Sequence, residues 1–418
     1  MKKLISLLLA LTMIISCGAA LAAPDGKITI WCWDPAFNIA SMKEAAKFFA
    51  VDHPDVEVVI EEIQFTDIET KILTAVTAGD ISSIPDIYLN QDNSFQRSLT
   101  NFPEAIMDLT DKFDFEGFPA GKLGYSIVDG KNYGIPFDAG TVIGAYRTDF
   151  LAECGYTIED LTDITWTRFL EIGRDIKAKT GKAMLSGQAG EVDTILMALQ
   201  SCGSSMFNED GSVNLVNNEA LKNFIDVYVT MLKEGIFIEL NGWDEYVGTF
   251  VNESVVGTVN GCWILGSVMV SADQAGKWAI TNMPKLDGIE GATNYSNNGG
   301  SSWVITNNAD TELALDFMKA YRNVEFYNNI LPTTSAIGTW AGALEGSNYQ
   351  AGNAFFNNEP IFAKILEYTA YVPSNVTGVY YYDARTALAT AVTNIVNGGD
   401  VASELENAEM TVNFDMGL

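Results

Sequence analysis

The sequence KITIWCWDPAFNIASMKEAAKFFAVDHPDVEVVI, residues 27–60, contains two kinds of apolar periodicity that together predict the fold class. Apolar residues alternate over residues 27–33, and a period of two predicts a β-strand. Ser41 then begins a helix, and Glu44, three positions later, completes a capping box. Apolar residues recur at helical spacing until a proline ends the run, and residues 56–60 again alternate with a period of two. The stretch therefore predicts a strand, a helix and a second strand.

The same alternation continues to the end of the chain. Residues 84–89 and 302–306 predict short apolar strands, and Asp310 caps a helix. Apolar stripes at helical spacing occur at Phe169, Ile172 and Ile176, at Leu221, Phe224, Ile225 and Tyr228, and at Ala314, Phe317, Met318 and Tyr321. This alternation predicts an α/β fold with open, mostly parallel sheets flanked by helices, and ligands of such sheets bind outside the carboxyl ends of the strands. Since no Ser- or Pro-rich linker separates domains, we expect two lobes joined by strand-like crossings that act as a hinge.

The composition excludes several classes of function. The 418 residues include 24 Lys plus Arg against 54 Asp plus Glu, so the net charge of −30 repels phosphate backbones and excludes nucleic-acid binding. Hydrophobic residues make up 48%, which is enough to bury substantial cores. The single histidine, His53, excludes a His-rich metal site. The sequence also contains no nucleophile elbow, phosphate loop, dinucleotide fingerprint or zinc-protease motif, so we expect no cofactor and no metal.

The N-terminus has the layout of a secretory signal peptide, which we predict at residues 1–22. Two lysines precede an apolar run at residues 4–15, which is too short to span a bilayer and has the length of a signal h-region. Ala20-Leu21-Ala22 is a cleavage site of the A-x-A type, and Ile14-Ile15-Ser16-Cys17 resembles a bacterial lipobox. We therefore expect an extracytoplasmic protein, at the cell surface or in the periplasm. It is either lipid-anchored at Cys17 or soluble after cleavage near Ala22.

Four further cysteines are far apart in the sequence, at Cys32, Cys154, Cys202 and Cys262. They form no C-x-x-C pair. One or two disulfides and four separate buried thiols are both compatible with this spacing, so both alternatives stay open.

The tryptophans are the most informative candidates for a binding site. Trp33 and Asp34 lie at the carboxyl end of the first strand, where a ligand meets the sheet. Trp263 and Trp303 each follow glycines that allow a close approach of the backbone. An indole offers a flat apolar face that stacks on sugar C–H groups, while Asp and Asn side chains bind hydroxyls, and this mixture suits an uncharged polyol. The alternative for each tryptophan is a packing role in a core or between lobes.

The chain resembles the extracellular solute-binding proteins of bacterial ATP-driven sugar importers, the group that includes maltose-binding protein. The resemblance extends from the signal to the C-terminus and rests on the order and spacing of short pieces. These pieces are residues 28–33, 85–88 with Asp92, 133–138, 146–149, Thr165-Trp166, 259–263, 278–284, 300–305 with the Asp310 helix, and 399–409.

The resemblance implies two α/β lobes, each a mostly parallel sheet flanked by helices, that close on a ligand about a hinged cleft. The N-terminal lobe is then expected at residues 24–138 with 299–338, and the C-terminal lobe at 139–298 with 339–418. The crossings between the lobes are expected at residues 134–136 and 296–301.

The resemblance also implies ligand-binding residues. Trp263 matches a tryptophan that stacks on the sugar, and Gly300 with Ser301 matches a backbone-contact segment, although a plain turn is the alternative for Gly299-Gly300. Trp33, Asp34, Asp92 and Asp138 match positions that often line the cleft. Arg385, or one of the tyrosines at residues 380–382, is expected to reach the cleft from the second lobe. The alternative is that the tyrosines only alternate between packing and solvent. The sequence differs from the family's usual residues at Cys262 and at Thr167-Arg168. These differences affect which ligand contacts carry over from the family, and they leave the predicted fold unchanged.

The resemblance therefore implies a non-enzymatic, monomeric protein, the substrate-binding component of an ABC transporter. It captures a carbohydrate, either an oligosaccharide or a glycoside, and delivers it to the membrane permease. Two alternatives stay open. The same fold could bind a polyamine or another small cation, with Asp34, Asp92 and Asp138 pairing with ammonium groups between aromatic rings. A glycosidase could use a pair of carboxylates, which 54 acidic residues supply by chance.

Overall fold

The computed structural model describes residues 26–418. The predicted signal peptide and the lipobox residue Cys17 lie outside these residues. Within them the strands are β1 (Gly26–Cys32), β2 (Val56–Glu62), β3 (Ile87–Gln91), β4 (Ile127–Val128), β5 (Lys131–Asn132), β6 (Ile135–Arg147), β7 (Leu185–Gln188), β8 (Phe237–Leu240), β9 (Gly257–Gly261), β10 (Trp278–Thr281) and β11 (Asn297–Ile305). The alternation of strands with helices confirms the predicted α/β class.

The α-helices of the same range are α1 (Asn38–Asp52), α2 (Phe65–Thr77), α3 (Phe95–Asn101), α4 (Ala120–Leu123), α5 (Thr148–Glu153), α6 (Trp166–Thr180), α7 (Asp193–Ser201), α8 (Glu219–Lys233), α9 (Trp243–Val251), α10 (Leu265–Val268), α11 (Thr311–Met318), α12 (Val324–Thr334), α13 (Ser347–Gln350), α14 (Ile361–Thr369), α15 (Tyr381–Val396) and α16 (Val401–Asp415). In residues 26–418 no helix is both long enough and apolar enough to cross a membrane.

The central sheet has seven strands in the order β10-β6-β11-β3-β1-β2, with β9 also paired to β6. β1 runs parallel to β2 and β3, as the strand–helix–strand pattern predicts. β11 runs antiparallel to both β3 and β6, and β9 and β10 run antiparallel to β6. The sheet is therefore mixed and not mostly parallel as predicted, because β11 runs antiparallel to the strands on both of its sides.

The long strand β6 pairs with different partners along its length. Its first half pairs with β11, from Ile135 opposite Trp303 to Thr141 opposite Asn297. Its second half pairs with β9 and β10, so that Val142 lies opposite Gly261 and Arg147 opposite Trp278. One strand thus joins two sets of strands, and the crossings at residues 134–136 and 296–301 stay a prediction. The boundaries of the two lobes stay a prediction.

The start of the first helix differs from the prediction. α1 begins at Asn38, whose side-chain oxygen accepts hydrogen bonds from the backbone N–H of Trp33 and of Asp34 at 3.1 and 3.0 Å. Ser41 lies inside the helix, where its hydroxyl donates to the carbonyl of Phe37 at 2.8 Å. The predicted capping box is therefore wrong. The helix begins three residues before Ser41, at Asn38, whose side chain binds the backbone of the preceding loop.

The predicted apolar stripes form the core. Phe169, Ile172, Phe224 and Phe317 are fully buried, and the other stripe residues are buried with them. The Asp310 side chain accepts a hydrogen bond from the backbone N–H of Leu313 at 3.1 Å, which confirms the predicted cap of α11. The four cysteines of residues 26–418 are unpaired thiols.

Candidate functional site

A cavity of about 460 Å³ lies where several elements of the sheet meet its helices. Its volume is within the range of about 300–1,000 Å³ that small-molecule sites occupy. Its walls come from the loop after β1, from β6, from the turn after β9, and from α10, α12 and α14. The lining residues are Asp34, Ala36, Phe37, Asp138, Cys262, Trp263, Leu265, Gly266, Met269, Thr334, Ser335, Ile337 and Phe362. Three predicted site residues, Asp34, Asp138 and Trp263, are thus brought to one cavity.

Asp34 is held rigidly at the edge of this cavity. One carboxylate oxygen, Oδ1, accepts hydrogen bonds from the backbone N–H of Ala36 at 2.8 Å and of Phe37 at 3.1 Å. The other oxygen, Oδ2, has no hydrogen-bond partner within residues 26–418. Asp34 can therefore accept a hydrogen bond from a ligand without losing the contacts that position it.

Asp138 presents a second carboxylate, from the first half of β6. Its Oδ1 accepts hydrogen bonds from the backbone N–H of Ser301 at 3.0 Å and from the Ser301 hydroxyl at 2.6 Å. Burial raises the pKa of Asp138, and the nearby Lys122 ammonium and the Ser301 hydrogen bonds oppose that rise. Ser301 itself is buried, so its role here is to position the carboxylate.

Asp92 is buried and does not line the cavity. Lys122 Nζ donates to Asp92 Oδ2 and, at 2.8 Å, to the Ser301 carbonyl, while the Ser302 hydroxyl donates to Asp92 Oδ1 at 2.9 Å. Burial raises the pKa of Asp92 to about 6, against the opposing effect of the Lys122 ammonium. The predicted cleft residue Asp92 is therefore part of a buried ion pair, and its partner Lys122 was not identified from the sequence.

Gly300 is in strand β11, so the turn that was the alternative for Gly299-Gly300 is wrong. Its φ of 104° lies in a region that L side chains rarely adopt. A Cβ at this position would lie 2.7 Å from Asp92 Oδ2 and 3.1 Å from the Asp138 carbonyl oxygen. Glycine is therefore required here by the close approach of the backbone to the buried ion pair.

Trp263 forms part of an exposed aromatic surface. Its side chain is 41% exposed, and its indole N–H donates to the carbonyl of Asn298 at 2.8 Å. The ring centroid lies 5.9 Å from that of Trp243, which is 42% exposed, and the two planes are tilted by 37°. Trp243 was missed in the sequence, although Gly242-Trp243 repeats the glycine–tryptophan pairing that drew attention to Trp263.

The other two predicted tryptophans do not line the cavity. Trp303 is fully buried, with its ring 5.5 Å from that of Phe137 and 6.3 Å from that of Tyr321. Trp33 is half-buried and packs edge-on against Phe65 at 5.6 Å. For Trp303 the structure supports the packing alternative, because its position in β11 turns the indole into the core.

Arg385 is bound to two acidic side chains. Its Nη2 donates to Glu191 at 2.5 Å and to Asp193 at 2.6 Å. On the same helix the Tyr382 hydroxyl donates to Gln91 Oε1, at the end of β3, at 2.6 Å. The run at residues 380–382 thus reaches across to the carboxyl end of a central strand.

The chain belongs to a family of bacterial transport proteins. Residues 44–357 match the family described as bacterial extracellular solute-binding protein, which confirms the resemblance seen in the sequence. The chain is 37% identical over 412 residues to the lactose-binding protein of Rhizobium radiobacter, covering 98% of this chain and 97% of that protein. It is 25% identical over 344 residues to the arabinooligosaccharide-binding protein of Halalkalibacterium halodurans, covering 79% and 76%.

Solved structures confirm the two-lobed fold class. The sugar-binding protein MalE from Xanthomonas citri superposes with a TM-score of 0.78 at 15% identity, covering 94% of this chain and 97% of that one. The galacto-N-biose/lacto-N-biose I-binding protein of Bifidobacterium longum superposes with a TM-score of 0.73 at 19% identity, covering 94% and 98%. At such identities the likeness concerns the fold.

Proposed function

We propose that the protein is the substrate-binding component of an ABC importer and captures a carbohydrate, an oligosaccharide or a glycoside, outside the cytoplasmic membrane. The observation that carries the proposal is the shared cavity of Asp34, Asp138 and the exposed indole of Trp263. The relation to a lactose-binding protein over nearly the whole chain supports it and makes galactosides the first ligands to test. We further propose that the protein is monomeric, catalyses no reaction and delivers its ligand to a membrane permease.

The chemistry of the cavity suits an uncharged, hydroxyl-rich ligand. The indole face of Trp263 stacks on the C–H face of a sugar ring. The Oδ2 atoms of Asp34 and Asp138 accept no hydrogen bond from residues 26–418, so they can accept hydrogen bonds from ligand hydroxyls. Micromolar affinity requires about −8 kcal/mol, which stacking and several buried hydrogen bonds supply after ordering costs. A ligand that binds the closed arrangement of the lobes more tightly shifts the population toward it, and the permease then receives that form.

Thermal unfolding of the mature protein against a panel of ligands tests the proposal. The panel contains lactose, other mono- and oligosaccharides, and polyamines. A ligand present at a hundred times its dissociation constant adds about 2.7 kcal/mol to the free energy of unfolding, which shifts the melting temperature by several degrees. We expect a shift with one class of saccharide. A panel in which no saccharide shifts the transition contradicts the proposal.

The polyamines serve as the test of a cation site, because Asp34 and Asp138 beside Trp263 also suit an ammonium group. An ammonium–carboxylate pair at an open cavity weakens as the ionic strength rises, whereas stacking and hydroxyl hydrogen bonds change little. Binding measured at two salt concentrations therefore distinguishes the two ligands. We expect the affinity for the saccharide to be insensitive to salt.

We also propose an extracytoplasmic location, with the mature chain either lipid-anchored at Cys17 or released after cleavage near Ala22. The extracellular character of the family supports the location. Mass spectrometry of the mature N-terminus tests the two forms. A diacylglycerol-modified Cys17 that is lost in Cys17→Ala indicates the anchored form, and an unmodified N-terminus after residue 22 indicates the soluble form.

A further inference from the structure

A buried ion pair supports the cavity carboxylate of Asp138 from outside the cavity. Asp92 and Lys122 are only 1% and 4% exposed, and neither lines the cavity. Lys122 Nζ donates at 2.8 Å to the carbonyl of Ser301, the residue that positions Asp138. A Cβ on Gly300 would lie 2.7 Å from Asp92 Oδ2, 3.4 Å from Lys122 Nζ and 3.1 Å from the main-chain oxygen of Asp138. The ion pair is therefore packed directly against the segment that presents Asp138.

The charges of this cluster do not balance. Among residues 26–418, the titratable groups that face Asp92 are Lys122 from α4, Tyr125 from the segment after α4, and Asp138 from β6. Burial raises the pKa of Tyr125 to about 12, so its phenol is neutral near pH 7. β11 contributes the uncharged hydroxyl of Ser302, which donates to Asp92. Two carboxylates therefore share one ammonium, and ionisation of both leaves one uncompensated negative charge beside the cavity.

The charge of Asp92 affects how strongly Asp138 accepts a hydrogen bond. Burial raises the pKa of Asp92 to about 6, against the effect of Lys122, and the charge of Asp138 adds to the rise. Once Asp92 is neutral, Asp138 alone balances the ammonium, so its oxygens accept a hydrogen bond from a hydroxyl less strongly. In return, a ligand that donates to Asp138 favours the cluster in which both carboxylates are ionised.

We propose that Asp92 and Lys122 are positioning residues that act through Asp138 and couple saccharide binding to the loss of a proton from Asp92. As a ligand hydroxyl donates to Asp138 Oδ2, the proton passes from Asp92 to the buffer. Because binding releases a proton, the affinity rises with pH across the range in which Asp92 titrates. This proposal rests on the proposed function, since it concerns how the same cavity holds its saccharide.

Calorimetric titration of the full mature protein from about pH 5 to about pH 7.5 tests the coupling. The probe is the saccharide that gives the largest shift in the thermal panel, with lactose tested first. We expect the wild-type affinity to be about 3- to 10-fold weaker at the lower pH, because a tenfold change corresponds to about one unit between the pKa of Asp92 in the free and bound forms. Titrations near pH 6 in two buffers of different ionisation enthalpy should show the release of protons.

Three variants sharpen the test. Asp92→Asn has nearly the same shape and cannot ionise, so its affinity should vary by less than about twofold over this range, without proton release. Asp108→Asn makes the same change at a residue that does not line the cavity, and as the matched control it should keep the wild-type profile. Lys122→Met leaves both carboxylates without their ammonium, so the profile should move to higher pH. Circular dichroism at each pH shows which variants are folded.

The coupling is overturned by a wild-type affinity that does not change with pH, by proton uptake on binding, or by an Asp92→Asn variant with the wild-type profile. A folded Lys122→Met variant that loses affinity equally at every pH would show that Lys122 has only a structural role. Failure of the proposed function is distinct, because then the wild type binds no saccharide at any pH.

Discussion

The indole N–H of Trp263 donates to the carbonyl oxygen of Asn298 at 2.8 Å, so an exposed aromatic ring is attached to the backbone of β11. β11 pairs with the first half of β6, which carries Asp138. The aromatic face and the carboxylate of the cavity are therefore fixed to neighbouring strands. The pairing of these strands sets the distance between the Trp263 ring and the Asp138 carboxylate. A ligand that contacts both groups must span that distance.

Replacement of Trp263 by alanine should weaken saccharide binding with little effect on stability. Loss of the stacking surface is expected to reduce affinity about 10- to 100-fold. Because the side chain is 41% exposed, the free energy of unfolding should change by about 1 kcal/mol or less. Titration calorimetry and urea unfolding measure the two effects. Unchanged affinity together with a collapse of stability would show that Trp263 is a packing residue.

Replacement of Trp303 by alanine should have the opposite effect. Its fully buried ring contacts Phe137 and Tyr321, so a cavity remains when it is removed. We expect a loss of about 3–5 kcal/mol in the free energy of unfolding, measured in urea. Ligand affinity, measured at a temperature where the variant is folded, should stay close to that of the wild type. A stable variant that binds no ligand would contradict the burial seen here.

Gly300 and Gly299 form a matched pair for testing the close approach of the backbone. Both have a positive φ, so alanine is strained at either position, at a cost of about 1–3 kcal/mol. An added Cβ at Gly300 would lie 2.7 Å from Asp92 Oδ2, whereas at Gly299 the nearest atom is 3.7 Å away, in Trp263. Gly300→Ala should therefore lower the urea midpoint clearly more than Gly299→Ala. Equal midpoints would show that strain alone matters.

Asp92 should make stability fall as the pH rises from about 4 to about 6. Burial raises its pKa from 3.8 to about 6, so between these values the folded state binds more protons than the unfolded chain. Urea unfolding at several pH values should show the wild type losing stability relative to Asp92→Asn across this window.

Asp108 supplies the control for this pH dependence. Hydrogen bonds from Thr110 lower the pKa of Asp108 to about 2, so its contribution is lost only as the pH falls below its ordinary value. Asp108→Asn should therefore leave the slope between pH 4 and 6 unchanged. An identical slope in the wild type and in Asp92→Asn would contradict the assignment to Asp92.

The periodic features of the sequence predicted the fold well. The alternation of residues 27–33 and the stripe at Phe169, Ile172 and Ile176 correspond to β1 and to the buried face of α6, because period and burial are linked locally. The mixed sheet was not predicted. β11 pairs with strands that lie far from it in the sequence, and no local pattern shows in which direction it runs beside them.

The site was predicted only in part, because burial depends on tertiary packing. Trp263 and Trp303 both follow glycines, yet one is exposed at a turn and the other lies inside a strand that faces the core. Lys122 lies in the four-residue helix α4, which has no periodic pattern, and its contacts reach residues 30 and 179 positions away. No local signal connects such residues.

The double pairing of β6 has a consequence for cutting the chain. The first half of β6 pairs with β11, which follows it by more than a hundred residues, and the second half pairs with β9 and β10. The strands on the β11 side of the sheet are therefore not encoded by one uninterrupted stretch of the gene, because residues 142–281, which hold the other set, intervene. A fragment truncated before β11 would leave the first half of β6 and β3 as open sheet edges, which are templates for aggregation. The β11 side of the sheet would thus form only when separately expressed halves associate, and a protease nick within β6 would disrupt both sets of strands at once.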